Sequence, residues 1–375
     1  MRNTINRYFF KEFITLFALI LISTCIIVWI VQAVNYLDFV TEDGHAFSIY
    51  FAYSILNIPK VLNRLIPLVF LISLLITILQ FEKNNELLVL WTSGLNKIRL
   101  VNFVIIISIL ITLFQLFLSL VVSHSSLNLA RSILKSSSIS LLPSLVKEKK
   151  FNDTVKDLTV FVEKKKSNGE MLNIFLRDDT SSAEKSKTII AKKGYIVKRN
   201  EQNILVLFNG TIQSEKKNKK INFLNFDKTE INLSSFSTKT TTYPKIQEED
   251  TLGLLNCIIP FLDKDKTTLK EFQCAARIDD ITSELNRRLG MPLYIPILSI
   301  IICYLLSSRK KNKYYFFQKY IVFIIAFSVL VFAEIMVRYS GNSITSSIIY
   351  YSLPPSLIFL NYLNLIRVFK FENLD

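Results

Sequence analysis

The chain has 375 residues, of which 50% are hydrophobic, and it carries a formal net charge of +15. Its apolar residues form long blocks, which indicates an integral membrane protein. In a soluble protein this charge would suggest nucleic acid, but lysine-rich loops and membrane anchors account for it here, so no nucleic-acid partner is predicted. An anionic ligand on the outer side is the alternative explanation of the excess charge.

Six uncharged runs predict six membrane-spanning helices. A helix needs roughly 20 residues to cross about 30 Å of hydrocarbon, and most of the runs approach or exceed that length. The two shortest are lengthened if Arg64 and Lys319 snorkel toward the interface. The runs are 13–37, 65–81, 100–130, 289–308, 320–333 and 339–366.

Basic residues beside the spans predict the orientation of the chain. Lys and Arg are retained on the cytoplasmic side. They cluster before the first span, in the connector 82–99, in the loop 307–313 and in the tail. Both termini are therefore predicted to be cytoplasmic, and the long insert 131–288 to lie on the outer side of the membrane. The first span has no small-x-small cleavage site, so it is interpreted as an uncleaved anchor.

Short alternating runs between Val155 and Phe236 predict strands separated by polar turns. The fold class is therefore an α-helical membrane protein with six transmembrane helices and an inserted all-β, jelly-roll-like domain. Predicted domains are 1–130 for the first three spans, with a short cytoplasmic helix at about 85–94, then 131–260 for the β domain. The third, 261–375, holds a linker helix, capped by Thr268 and Glu271, and the last three spans.

Motifs for independent chemistry are absent from the sequence. No Gly-rich phosphate loop is present, so this chain is predicted to bind no ATP and no other cofactor. The two histidines lack partners at ligand spacing, which predicts no metal site. No Gly-x-Ser-x-Gly elbow or other nucleophile motif is present, so the chain is predicted not to be an enzyme. Glu334 and Arg338 are spaced for an ion pair on one helix. Whether Cys257 and Cys274 form a disulfide stays open at this point.

The connector "EKNNELLVLWTSGLNK" is too apolar for a solvated loop. A short helix that begins at Glu86, with Gly94 as its left-handed terminator, explains it. Leu87, Leu90 and Trp91 then share one face. Such a helix lies on the inner membrane surface or inserts into a groove on a partner. Its acidic start and its lack of basic residues favour the partner groove.

The order of these features resembles the LptF/LptG permease family of lipopolysaccharide exporters. The resemblance rests on "NELLVLWTSGL", where the family has a coupling helix that docks on an ATPase, and on "RYFFKE" at 7–12. It rests also on "ELNRRLGMPL" at 284–293, which is closer to the F than to the G subunit, and on the paired strands "IIAKKGYIVKRNEQNILVLFNGTI". The coupling-helix match falls on Glu86, Leu87, Val89, Ser93, Gly94 and Leu95.

The resemblance implies a permease subunit of an ATP-driven ABC exporter that extracts lipopolysaccharide and passes it to a periplasmic β-jellyroll bridge. It implies as partners an LptG-like permease subunit, an LptB-like ATPase dimer that uses the ATP, and LptC-like and LptA-like periplasmic proteins. The predicted ATPase-coupling residues are Glu86, Leu87, Ser93 and Gly94, which the resemblance implies, together with Leu90 and Trp91, which share the helix face of Leu87.

One departure from the family concerns the lipid phosphates. Family members often carry Lys or Arg near the outer end of span one, where this sequence has Gln32, Asn35 and Asp38. Lys60 and Arg64, before span two, are the cations that would take over this role, although both also fit as snorkelling anchors. The lipid-binding candidates are therefore Lys60, Arg64, Gln32 and Asn35.

Two other classes of function fit the pattern less well. A membrane-anchored sensor or scaffold would use the periplasmic β domain to bind a ligand and would need no ATPase. A self-contained secondary transporter would show internal repeats between its halves, and the sequence has no convincing one.

Overall fold

The computed structural model divides into two compact units. The first comprises Met1–Val31, Asn57–Leu127 and Lys245–Asp375, and the second comprises Gln32–Leu56 and Asn128–Pro244. The structure describes residues 2–37, 40, 46–145, 148–155, 158–166, 169–179, 184–199, 202–216, 221–232, 245–262, 278–307, 315–341 and 344–372. The predicted cap at Thr268 and Glu271 lies outside these ranges.

The described helices follow the predicted apolar runs. A π-helical segment, Leu118–Ser123, joins α5 to α6, and short 3₁₀ turns lie at Ile246–Glu248, Met291–Tyr294 and Tyr304–Leu306. The helices are α1 (Arg2–Asn35), α2 (Phe47–Leu56), α3 (Ile58–Lys83), α4 (Glu86–Thr92), α5 (Lys97–Phe117), α6 (His124–Leu145), α7 (Thr251–Leu262), α8 (Ile278–Gly290), α9 (Ile295–Cys303), α10 (Tyr315–Ser340) and α11 (Ile344–Glu372).

Five helical segments of the described chain are long and apolar enough to cross a membrane, which agrees with the first five predicted spans. They are Thr4–Asn35, Phe47–Lys83, Lys97–Leu134, Ile278–Leu306 and Phe317–Ser340. The sixth predicted span corresponds to α11, in which Pro354, Pro355 and several tyrosines and serines dilute the hydropathy. The helical membrane fold is confirmed, and the count of six spans stays a prediction.

Small polar side chains let the central helices of the first unit pack closely. Ser299 on α9 lies 3.3 Å from Ser108 on α5, measured between the two Oγ atoms. Thr112 on α5 donates a hydrogen bond to the carbonyl oxygen of Pro292 at 3.3 Å. Because lipid tails are as apolar as leucine, helix association in a membrane depends on such close contacts rather than on the hydrophobic effect.

Gly290, at the end of α8, lets that helix lie directly against an aromatic side chain of α11. A Cβ added there would overlap the fully buried ring of Tyr350 on α11. Gly290→Ala is therefore expected to destabilise the protein by about 2 kcal/mol, the usual scale for overpacking a core. The measurement is the thermal unfolding midpoint in detergent. Gly253→Ala is the matched control, because a Cβ at that exposed helical position meets no atom within 4 Å. An unchanged midpoint for Gly290→Ala would contradict the packing described here.

The second unit contains a single antiparallel sheet among its described residues. Its six strands are hydrogen-bonded in sequence order, and each pairs with the next along the chain. The strands are β1 (Phe151–Val155), β2 (Leu158–Lys165), β3 (Met171–Asp178), β4 (Glu184–Arg199), β5 (Gln202–Lys216) and β6 (Ile221–Asn232). The predicted inserted β domain is confirmed, with a meander connecting its strands.

One row of residues interrupts the pairing across five strands. The register of the strands is the same on both sides of this row, but the residues of the row are absent from the backbone pairing between strands. They are Glu163, Asn173, Lys192, Asn209 and Asp227. Asn173 and Asn209 have φ of 50° and 49°, in the left-handed region. Asparagine tolerates this conformation better than other non-glycine residues do. The strands therefore turn together along this line.

The alternation of buried and exposed residues along the strands shifts by one position at the same row. Met171 and Ile174 are three positions apart, yet both lie in one apolar core, whereas a regular strand sends only every second residue to one face. Gly194 lies in that core too, and a Cβ there would be 2.7 Å from Cδ1 of Ile174. We infer that the sheet bends over one core at this row, and the jelly-roll-like form of the domain stays a prediction.

The predicted boundaries of the β domain are wider than the sheet itself. Its strands occupy 151–232, while α6 extends to Leu145 and α7 fills Thr251–Leu262. The linker helix before span four is present as α8. Cys257, in α7, forms a disulfide in the structure, whereas Cys25 and Cys303 are free and buried. Cys274 is outside the described residues.

Candidate functional site

A cavity of about 350 Å³ lies within the helical unit. Its wall comes from the start of α3, the end of α5 with the π-helical segment, the start of α6, α8 and residues 327–334 of α10. In the predicted orientation these segments extend from the middle to the outer ends of their spans. Apolar side chains form much of the wall, among them Leu68, Leu127, Met291, Phe327 and Leu330. The cavity therefore offers apolar surface between the helices of predicted spans two to five.

Lys60 and Arg64, two of the predicted lipid-binding residues, line this cavity. They are one turn apart on α3, so they share one side of the helix. Within the described chain neither forms an ion pair within 4 Å. Two unpaired cations beside apolar surface suit an anionic amphiphile, because an anion replaces the water lost by the cations on binding.

Arg288 also lines the cavity, but its guanidinium group is already occupied. It donates to Glu284 Oε1 at 3.2 Å, to Thr251 Oγ1 at 2.9 Å and to three backbone carbonyls between Ile246 and Glu249. Its side chain is only 4% exposed. A buried arginine with its donors satisfied holds the 3₁₀ turn and the start of α7 against α8, which is a structural role.

The predicted ion pair between Glu334 and Arg338 is wrong. Glu334 on α10 pairs with Arg287 on α8, with 2.8 Å between Oε1 and Nη2. Both residues line the cavity, whereas Arg338 is exposed and is not part of its lining. Helical spacing places Glu334 and Arg338 near each other, but a neighbouring helix brings a cation closer to Glu334.

The coupling segment forms the helix that the sequence predicts. It runs from Glu86 to Thr92 and ends in a left-handed Gly94, whose φ is 81°. Two backbone hydrogen bonds close this end, from Leu95 N to Leu90 O and from Gly94 N to Trp91 O, both at 3.1 Å. These are the two bonds of a Schellman motif, so Gly94 has a defined conformational role.

The face of this helix that was expected to reach a partner packs on the chain itself. Leu87 is 6% exposed, and Leu90 and Trp91 are half-buried against the helical core. Lys97 Nζ lies 5.6 Å from the Trp91 ring and 5.7 Å from the Phe369 ring, which joins the helix to the end of α11. Leu87 is therefore occupied within the chain, and the prediction that Leu90 and Trp91 reach a partner's groove stays a prediction.

Exposed apolar side chains occupy the opposite face of the same helix. Leu88 is 53% and Val89 is 63% exposed, and Thr92, Ser93 and Gly94 are exposed beside them. Glu86, in the first turn, accepts a hydrogen bond from Asn84 Nδ2 at 3.1 Å. Leu88 and Val89, on a short helix outside the spans, therefore form the surface that is open to a partner.

The remaining lipid-binding candidates belong to the second unit. Gln32 is half-buried and Asn35 is exposed, and both are in the last turn of α1. In this region the Tyr50 hydroxyl donates to Ala33 O at 3.0 Å. The role of Gln32 and Asn35 in lipid binding stays a prediction.

Sequence reasoning missed the polar residues of the cavity wall. Asn63, Gln115 and Ser119 line the cavity from within apolar helices. The sequence did contain a signal for these residues, because polar side chains inside membrane spans cost free energy and usually have a function. His124 also lines it and lies 3.1 Å from Asp250, measured from Nε2 to Oδ1.

Comparison with known proteins finds one matching family and one relative that covers most of the chain. The sequence model described as "Lipopolysaccharide export system permease LptF/LptG" matches residues 7–367, which is nearly the whole chain. An uncharacterized protein of Rickettsia prowazekii (strain Madrid E) is 26% identical over 316 residues, covering 82% of this chain and 84% of that protein. Both matches extend over the helical unit and the β domain.

Proposed function

The chain belongs to the lipopolysaccharide export permease family LptF/LptG, and from this premise we propose that it is one permease half of an ATP-driven exporter. In this proposal it extracts lipopolysaccharide from the inner membrane and passes it to a periplasmic β-jellyroll bridge. The F-type role is proposed from the likeness of "ELNRRLGMPL" to that subunit. Both termini are cytoplasmic, and the β domain is periplasmic.

The observation that carries the proposal is the cavity with two unpaired cations beside an apolar wall. Lipopolysaccharide combines anionic groups with acyl chains, so it requires both kinds of surface within one site. Lys60 and Arg64 would hold an anionic group, while Leu68, Met291 and Phe327 would contact an acyl chain. A site for a small hydrophilic solute would not need this much apolar wall.

The short helix α4 supplies the proposed link to the ATPase. An ATPase subunit would receive Leu88 and Val89, whose side chains are exposed on a connector that is predicted to be cytoplasmic. Leu87, Leu90 and Trp91 would hold the helix on the permease, so that movement of the ATPase reaches the spans. In this arrangement Glu86, Ser93 and Gly94 define the ends of the helix.

The β domain supplies the proposed route out of the membrane. Among the described strands β6 pairs only with β5, and its other edge is open. Phe223 and Leu224, near the start of β6, are 65% and 61% exposed. An open, partly apolar edge is the kind of surface that accepts another strand. We place the LptC-like or LptA-like jellyroll partner there.

The test of the proposed function is purification of the tagged full-length chain in mild detergent, with identification of co-eluting proteins and lipids. We expect a second permease subunit, a cytoplasmic ATPase and lipopolysaccharide. A scaffold or sensor with a ligand-binding β domain would bring no ATPase. Recovery of the chain with other periplasmic proteins, but with neither ATPase nor lipopolysaccharide, would favour that alternative and reject the exporter.

A further inference from the structure

Four buried polar atoms on the cavity wall have no hydrogen-bond partner in the described chain. They are Asn63 Oδ1, Gln115 Oε1, Ser119 Oγ and His124 Nδ1. Most buried polar atoms in native proteins are paired, and an unpaired one costs about 1–3 kcal/mol. Outside the cavity wall, Tyr350 Oη also lacks such a partner among the described residues. This concentration on one wall indicates a polar recess that a bound group completes.

The chemistry of the recess follows from the Gln115 side chain. Its Nε2 donates to the backbone carbonyl of Asn63 at 2.9 Å, which fixes the orientation of the amide, because an oxygen at that position could not donate. Oε1 is therefore the unpaired end, and it only accepts. Since Asn63 Oδ1 is also an acceptor, the group that completes the recess must present O–H or N–H donors.

The π-helical segment aligns the recess along the cavity. Gln115, Ser119 and Ser123 are four residues apart and all line it. A step of four residues is slightly more than one turn of an α-helix, which has 3.6 residues per turn. The same step is slightly less than one turn of a π-helix, whose i→i+5 bonds make each turn wider. Combining the two kinds of turn keeps the three side chains on one side. All three are at least nine-tenths buried, with exposures of 2%, 2% and 8%.

We propose that Asn63, Gln115, Ser119 and His124 form a subsite for the hydroxyl or amide N–H groups of a phosphorylated sugar headgroup. The adjacent cations Lys60 and Arg64 would take its phosphate. This inference rests on the proposed function and deepens it, since it makes the recess the part of the site that distinguishes a glycolipid from a phospholipid. Phosphatidic acid has a phosphate and acyl chains but no sugar hydroxyl or amide group, so it leaves these acceptors unpaired.

The test compares two lipids on the full-length chain purified with its partners, by native mass spectrometry titration. One probe is a phosphorylated glucosamine-based glycolipid, and the other is phosphatidic acid of matched acyl length. The wild-type protein is expected to prefer the glycolipid. Gln115→Leu should weaken glycolipid binding about tenfold, because one buried hydrogen bond is worth about that factor, and should leave phosphatidic acid binding within about twofold.

Gln115→Leu also loses the hydrogen bond to Asn63 O, which could impair folding. A second variant, Ser119→Ala, and a control, Ser108→Ala, therefore complete the test. Ser119→Ala removes one hydroxyl and adds no volume, so it should weaken only glycolipid binding, about threefold. Ser108 lies on α5 outside the cavity lining, and its hydroxyl donates a hydrogen bond to Ile105 O at 2.7 Å, so Ser108→Ala should change neither affinity.

The outcomes separate this inference from the proposed function. Equal affinity of the wild-type protein for the two lipids, or an equal loss of both in Ser119→Ala, would overturn the subsite and leave the recess to ordered water. Failure of the wild-type protein to bind either lipid would overturn the proposed function, and the subsite with it. Selective loss of glycolipid binding in the recess variants supports the subsite.

Discussion

Val89→Asp is expected to remove the ATPase from the purified complex. Val89 is 63% exposed on α4, so in the free chain the substitution disturbs no packing. In the complex it would bury an unpaired carboxylate in an apolar groove, which we expect to cost about 3 kcal/mol. This corresponds to a roughly hundredfold loss of affinity. The measurement is ATPase recovery with the tagged chain, together with ATP turnover of the complex in lipid nanodiscs.

Leu224→Asp is the matched control for this substitution. Leu224 is 61% exposed on β6, in the domain predicted to be periplasmic, and its replacement should leave ATPase recovery unchanged. Leu88→Asp, on the exposed face of α4, should behave like Val89→Asp. Full recovery of the ATPase with both α4 variants would show that this face lies on the membrane surface and that coupling uses another part of the chain.

The contrast between the two faces of α4 shows what periodicity predicts. The sequence predicted the start of this helix at Glu86, its left-handed end at Gly94 and the shared face of Leu87, Leu90 and Trp91, and all three are observed. It could not predict which way that face points, because helical spacing defines relative positions only. Packing against the spans decides the orientation, and packing depends on residues distant in sequence.

A similar limit explains the corrected ion pair and the bend in the sheet. Glu334 meets Arg287 because α8 and α10 are neighbours, which spacing within α10 cannot reveal. Alternation predicted the strands, whereas the shared turn at Asn173 and Asn209 is a register property of several strands at once. Local signals therefore predicted the elements, and long-range pairing determined how they assemble.

The sequence suggested the two cations that line the candidate site, but it did not suggest the polar recess beside them. Lys60 and Arg64 were candidates because they stand before a span, and the cavity contains both. Gln115 and Ser119 looked like ordinary polar residues of a long apolar run. Their significance depends on the π-helical segment, Leu118–Ser123, which no residue pattern in this stretch signals. Unpaired buried atoms can be recognised only once neighbouring helices are in place.

Neutralising both cavity cations, with Lys60→Gln and Arg64→Gln together, is expected to weaken binding of phosphorylated lipopolysaccharide roughly hundredfold. Each cation would lose a charge-assisted hydrogen bond to phosphate, and hydrogen bonds to charged groups contribute about 1.5–3 kcal/mol each. A combined loss of about 3 kcal/mol gives this factor. The measurement is lipid affinity of the purified complex by the same titration, at fixed ionic strength because exposed charges are screened by salt.

Arg338→Gln is the matched control, because Arg338 is exposed near the same predicted outer end of the spans and lies outside the cavity lining. It should leave lipid affinity unchanged, as a snorkelling anchor would. A dephosphorylated form of the lipid separates charge recognition from packing. The double variant and the wild-type protein should bind it equally, since no phosphate remains for either cation to hold. If the double variant loses both forms of the lipid to the same extent, Lys60 and Arg64 support the fold of the cavity and do not recognise phosphate.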